Sequence, residues 1–144
     1  MCALEPGEVA VELTGPIITS AAMAEVDQRY CLQIGADTFQ AKALIPDAVG
    51  DLVNHSCDPN CVVVLDGERV ILWVIRSILP GDEVSYDYGL TATPEHTDDT
   101  VCLCHSSKCR GVIGHFAALP LEAQEWYTRR GFVPEYVHRG VAQW

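Results

Sequence analysis

Apolar and charged side chains alternate through EVAVEL, from Glu8 to Leu13, with the two-residue period of a half-buried strand, and Gly15-Pro16 closes the run. Thr19 or Ser20 stands where a cap for a short helix through AAMAEVDQ would be. From Tyr30 the strand period returns as YCLQI, a turn at Gly35-Ala36-Asp37, and TFQAK. Pro46 to Val53 fits one or two helical turns. In CVVVLDGERVILWVI two β-branched runs flank Asp66-Gly67, a strong signal for a tight hairpin, and their continuous apolarity predicts central strands. Pro80-Gly81 turns the chain into a short strand, DEVSYDY, after which GLTATPEHTDDT reads as an exposed loop. Beyond Pro120, LEAQEWYTRR joins good helix formers to Pro near its start, Arg near its end and Gly131 in the stop position, which predicts a helix.

Composition places this pattern in one globular domain: the chain has 144 residues, 49% of them hydrophobic and 20% charged. Domains of that size bury about 68–70% of the surface their unfolded chains expose, enough for a core without disulfide staples. The seven cysteines therefore call for another use. No apolar run approaches the roughly 18 residues of a membrane helix, and MCALEPGEV lacks the charged start and apolar stretch of a signal peptide. The expected setting is cytoplasmic, or nuclear in a eukaryote, where thiols stay reduced; the odd cysteine count also argues against a closed disulfide framework. A formal charge of −11 repels phosphate backbones, so basic peptides are better partners than nucleic acid, unless the charge serves solubility alone. A monomer with neither a membrane nor a direct nucleic-acid partner is expected.

CLCHSSKC brings Cys102, Cys104 and Cys109 close in sequence, and three thiolates leave a tetrahedral zinc ion one ligand short. Cys57 and Cys61 of NHSCDPNC are the nearest sources of a fourth, with His105 and His55 behind them. Ser106, Ser107 and Lys108 form a polar knuckle suited to a metal loop. Buried free thiols are the competing reading, and it suits Cys31 and Cys2 better.

Taken in order, NHSCDPNC, GDEVSYDYG and CLCHSSKCRG resemble the SET-domain protein-lysine methyltransferases with a post-SET zinc motif, and the resemblance runs from about Pro6 to Gly111. It implies a mainly β fold of several small sheets with a pseudoknot, a C-terminal post-SET zinc loop and a short helix. The implied division is a SET domain over 1–100, a post-SET segment over 101–117 and a helical extension over 118–144. It further implies S-adenosylmethionine as cofactor, a structural zinc, and a lysine in a basic protein as substrate. Asn54, His55 and Ser56 correspond to the family's cofactor-pocket segment, and Cys57 to the zinc ligand that joins Cys102, Cys104 and Cys109. Tyr88 matches the active-site tyrosine, which also faces the cofactor, and Tyr86 the position that influences how many methyl groups are added. The stretch from Gly81 to Tyr88 is expected to pass beside the NHSC segment, with Asp87 organising backbone between the two tyrosines.

Three features depart from the family pattern. A glycine-rich GxG stretch usually precedes the turn matching Pro6-Gly7-Glu8 and has no counterpart here, which implies weakened cofactor binding or a truncated chain. Leu13 stands where an aromatic residue often lines the lysine channel. The aromatic residue that caps the cofactor after the zinc motif is best matched by Phe116. A catalytically impaired, zinc-stabilised interaction module is therefore the alternative function. An unrelated zinc domain would require Cys57 to lie far from Cys104.

Overall fold

The computed structural model describes residues 2–41, 53–67, 69–96 and 100–141. Strands β1 (Val9–Leu13), β7 (Arg69–Val74), β6 (Cys61–Asp66), β8 (Ser85–Tyr86) and β5 (Asn54–His55) form one sheet in that spatial order. A smaller sheet holds β2 (Ile17–Ile18), β4 (Thr38–Ala41) and β3 (Cys31–Gly35). Two helices, α1 (Leu121–Arg129) and α2 (Glu135–Val141), follow.

The hairpin β6–β7 organises the molecule. Its register runs from Cys61 opposite Val74 to Asp66 opposite Arg69, and Gly67 takes a left-handed φ of 61° at the reversal. Successive side chains of a strand leave opposite faces, and here both faces are covered. Cys61, Val63, Val70, Leu72 and Val74 join Leu13, Leu32, Val53, Ile78 and Tyr86 in one core. Val62 points the other way, into a second core of Leu90, Phe116, Leu119, Tyr127, Val133 and Val137. Each such buried side chain contributes about 1.5–3 kcal/mol, so the segment from Phe116 onward is part of the fold's stability.

The helix α1 matches its sequence signals: Pro120 precedes it, Arg129 lies in its last turn, and Gly131 adopts a φ of 69° beyond it. The α2 helix has no comparable signal, being short and containing Gly140. It is fixed by tertiary contacts, among them the Tyr136 hydroxyl, which lies 2.7 Å from the Thr91 carbonyl and 2.9 Å from that of Gln33. The segment after Thr19 forms a 3-10 helix, Ser20–Glu25, whose N-cap Thr19 makes no side-chain cap bond, while the Ser20 hydroxyl is held by Asp37. The helical turns expected between Pro46 and Val53 fall, but for Val53, outside the described residues.

Two strand and loop expectations need correction. DEVSYDY supplies only the two-residue β8, because Asp87 caps a 3-10 turn, Tyr88–Leu90, by accepting the Gly89 N–H at 3.0 Å. The following segment is not an exposed loop at its start: Leu90, Thr91 and Thr93 are buried, and Gln33 receives the Thr93 N–H at 3.1 Å. Thr93 thus anchors to the small sheet, which polarity alone did not indicate.

Candidate active site

Parallel pairing of β5 with β8 sets Asn54 opposite Ser85 and His55 opposite Tyr86, so two pieces of chain about thirty residues apart cross side by side. Asn60 pins the crossing. Its Nδ2 donates to the Glu83 carbonyl at 2.8 Å, its Oδ1 accepts the Ser85 N–H at 2.9 Å, and its carbonyl accepts the Ile75 N–H at 2.9 Å. Beyond the crossing, the Tyr88 hydroxyl donates to the Val53 carbonyl at 2.7 Å. The Tyr88 ring lies 5.3 Å from that of His55 and 4.7 Å from that of Tyr86. Burial raises the pKa of both tyrosines above the ordinary range, and the Glu83 charge adds to the effect at Tyr88. Each phenol therefore stays neutral, and that of Tyr88 serves as a hydrogen-bond donor.

His55 is a joint in this arrangement. Its Nδ1 accepts the Tyr88 N–H at 3.2 Å, so the neutral ring carries its proton on Nε2, which faces the Cys57 Sγ at 3.3 Å. Burial lowers its pKa; the opposing charge of Asp87 raises it less. A cleft of about 650 Å³ opens beside these groups, lined among others by Asn54, Ser56, Arg76, Glu83, Leu103 and Ile113. Asn54 Nδ2 donates to Glu83 Oε1 at 2.6 Å, and the Ser56 hydroxyl accepts the Asp58 N–H at 3.1 Å. Phe116 is not among the lining residues. It is 4% exposed and packs in the second core against residues such as Leu119 and Tyr127.

The cysteines meet at one end of the cleft. Cys57 and Cys102 have their sulfurs 3.6 Å apart, close to the roughly 3.8 Å that zinc–sulfur bonds of about 2.3 Å impose at tetrahedral angles. The ligand atoms of His55, Cys57, Cys102 and Cys104 all lie within 4.8 Å of one another. Cys109 is outside that mutually close set and exposed, with its Sγ 3.8 Å from the Cys102 carbonyl. The tautomer of His55 bears on the choice between them: a proton on Nε2 bars that nitrogen from ligation, leaving it as a donor to the Cys57 sulfur. Backbone N–H groups serve two sulfurs, Cys57 to Cys104 at 3.5 Å and Arg110 to Cys57 at 3.4 Å. Burial pushes the Cys57 thiol up to about 12. Cys104, despite burial, is held down at about 5 by hydrogen bonds from Ser106 and the Cys57 N–H. Thiols so close together ionise jointly only beside a cation, and the donor set suits a divalent ion that favours sulfur. Cys61 is fully buried in β6, where burial raises its thiol to about 11, and it belongs to the core.

An acid–base pair completes the centre. Asp87, 1% exposed, is gripped by Arg110 through Nη1 to Oδ2 at 2.9 Å and Nη2 to Oδ1 at 2.8 Å. The sequence placed Asp87 among backbone-organising residues and gave no sign of Arg110, since the two stand 23 positions apart and neither spacing nor period links them.

A parallel crossing beside a cysteine cluster defines a SET-type centre, and comparison with known proteins agrees. Residues 1–89 match the family model described as SET domain, and the chain belongs to that family. It is similar to the histone-lysine N-methyltransferase, H3 lysine-4 specific, of Mycosarcoma maydis, 30% identical over 72% of this chain and 8% of that protein. It is also similar to the histone-lysine N-methyltransferase trithorax of Drosophila virilis, 31% identical over 74% of this chain and 3% of that one. The chain thus spans a small part of these relatives. Among solved structures, KRYPTONITE in complex with mCHG DNA and SAH shares the fold with a TM-score of 0.57, at 24% identity over 78% of this chain and 25% of that one. Among the described residues no helix is long and apolar enough to cross a membrane.

Proposed function

We propose that the chain is an S-adenosylmethionine-dependent protein-lysine N-methyltransferase acting on a basic protein segment such as a histone tail. The observation that carries this reading is the crossing itself, which sets a neutral Tyr88 hydroxyl, the Asn54-His55 segment and an open cleft within one small volume. When bound, S-adenosylmethionine supplies a sulfonium methyl group as the electrophile. Asn54, His55 and Ser56 would hold it, with Arg76 and Glu83 suited to its charged amino-acid end and Leu103 and Ile113 to its ring.

A lysine amine has a reference pKa near 10.4 and carries no free lone pair while protonated. The tyrosine-lined interior, with Tyr86 and Leu13 buried, disfavours that charge and so favours the nucleophilic amine. Tyr88, fixed by its bond to Val53 and its edge contact with His55, orients rather than ionises. Alignment of this kind contributes up to about 7–11 kcal/mol in the best model systems. Cys57, Cys102, Cys104 and Cys109 would hold a structural zinc, supported by the 3.6 Å sulfur spacing and by the Nε2 proton that removes His55 from the ligand set. The acidic surface suits a basic substrate.

Calorimetric titration of the zinc-loaded chain with S-adenosylmethionine tests the reading. Saturable binding that weakens on Asn54→Ala is expected; no heat at millimolar cofactor, with the fold intact, would refute it and favour the interaction-module alternative.

A further inference from the structure

Arg110 follows the last cysteine of the cluster, yet its side chain ends in the reactive turn. Its backbone N–H donates to Cys57 Sγ at 3.4 Å while its guanidinium grips both oxygens of Asp87 and touches the Ile113 carbonyl at 3.1 Å. Asp87 in turn caps the turn that starts with Tyr88, accepting the Gly89 N–H at 3.0 Å, and lies 3.7 Å from His55 Nδ1. A guanidinium fork on a carboxylate fixes both partners in plane, unlike a point charge, and with Asp87 only 1% exposed water does not replace the guanidinium. Tyr88 therefore hangs from two struts that both start at the cysteine cluster: Cys57–His55–Tyr88 N–H, and Arg110–Asp87–Gly89 N–H.

We propose that Arg110 and Asp87 are positioning residues that transmit the order of the metal-loaded cysteine segment to the Tyr88 turn. Losing the metal then loosens the turn through this fork even though no sulfur touches Tyr88. The proposal rests on the methyltransferase reading only for calling Tyr88 the reactive tyrosine; the coupling stands apart from it.

Native-state amide hydrogen exchange at Tyr88 and Gly89 tests the coupling without cofactor or substrate, so a chain that fails to bind S-adenosylmethionine can still pass. In the wild type, chelating the zinc is expected to speed exchange at these amides about tenfold while central β6–β7 amides keep their protection. Asp87→Asn combined with Arg110→Gln keeps a hydrogen-bonded pair and the Gly89 cap without a lone buried charge. With zinc bound, the Gly89 amide of this double variant should already exchange at the wild type's metal-free rate and respond to chelation by less than about twofold, while the Tyr88 amide, still held by His55, keeps part of its response. Arg110→Lys, which retains the charge but not the fork, should cut the response to less than half and serves alone should the double variant fail to fold. Wild-type protection and a full response in a folded, zinc-loaded variant would overturn the proposal, as would a wild type whose Tyr88 and Gly89 amides ignore chelation.

Discussion

Two tyrosine rings lie 4.7 Å apart at the candidate site. The Tyr88 hydroxyl is committed to the Val53 carbonyl, whereas Tyr86, 5% exposed, is buried in the core against which Tyr88 packs. On the proposed reading, a hydroxyl there would limit the room left for a methylated amine. Tyr86→Phe is accordingly expected to raise the number of methyl groups added per lysine, as read by mass spectrometry of the product peptide; an unchanged product distribution would contradict that role. The individual residues of the NHSC and SYDY motifs were legible because each is a dense local pattern. Arg110, Asn60 and Gln33 were not: each acts through a partner far along the chain, and a lone polar residue gives no sequence signal until the fold brings that partner near.

Short elements hold the site, and their boundaries depend on single residues. The turn Tyr88–Leu90 is tightly packed around its glycine: a Cβ on Gly89 would come to 3.0 Å from Leu119 Cδ2, 3.2 Å from Asp87 Oδ1 and 3.3 Å from the Ile113 carbonyl. Gly89→Ala should therefore destabilise the chain by about 1–3 kcal/mol, since two of the three obstacles are held by other bonds, and thermal unfolding measures the effect. An unshifted melting temperature would show that the turn can relax. Long or strongly periodic elements such as the β6–β7 hairpin and α1 could be read from residue pattern alone. The two-residue β5 and β8 could not, because pairing between remote segments defines them, and α2 could not, because tertiary contact through Tyr136 outweighs its weak propensity.

At the scale of the molecule, one hairpin separates two cores, and the reactive crossing lies at its edge, where Cys61 pairs with Tyr86. The post-cysteine segment closes the second core through Phe116 and Leu119, so the cluster is tied at one side to the NHSC loop and at the other to the helices. The proposed function has an amine meet a methyl donor in the cleft beside Tyr88. Mass spectrometry of a lysine-containing histone H3 tail peptide, incubated with S-adenosylmethionine and either the zinc-loaded wild type or Tyr88→Phe, examines this most directly. Methylated peptide from the wild type and a loss of about a hundredfold in rate in the variant, with both chains equally folded, is the expected result. Equal rates in the two chains would contradict the account.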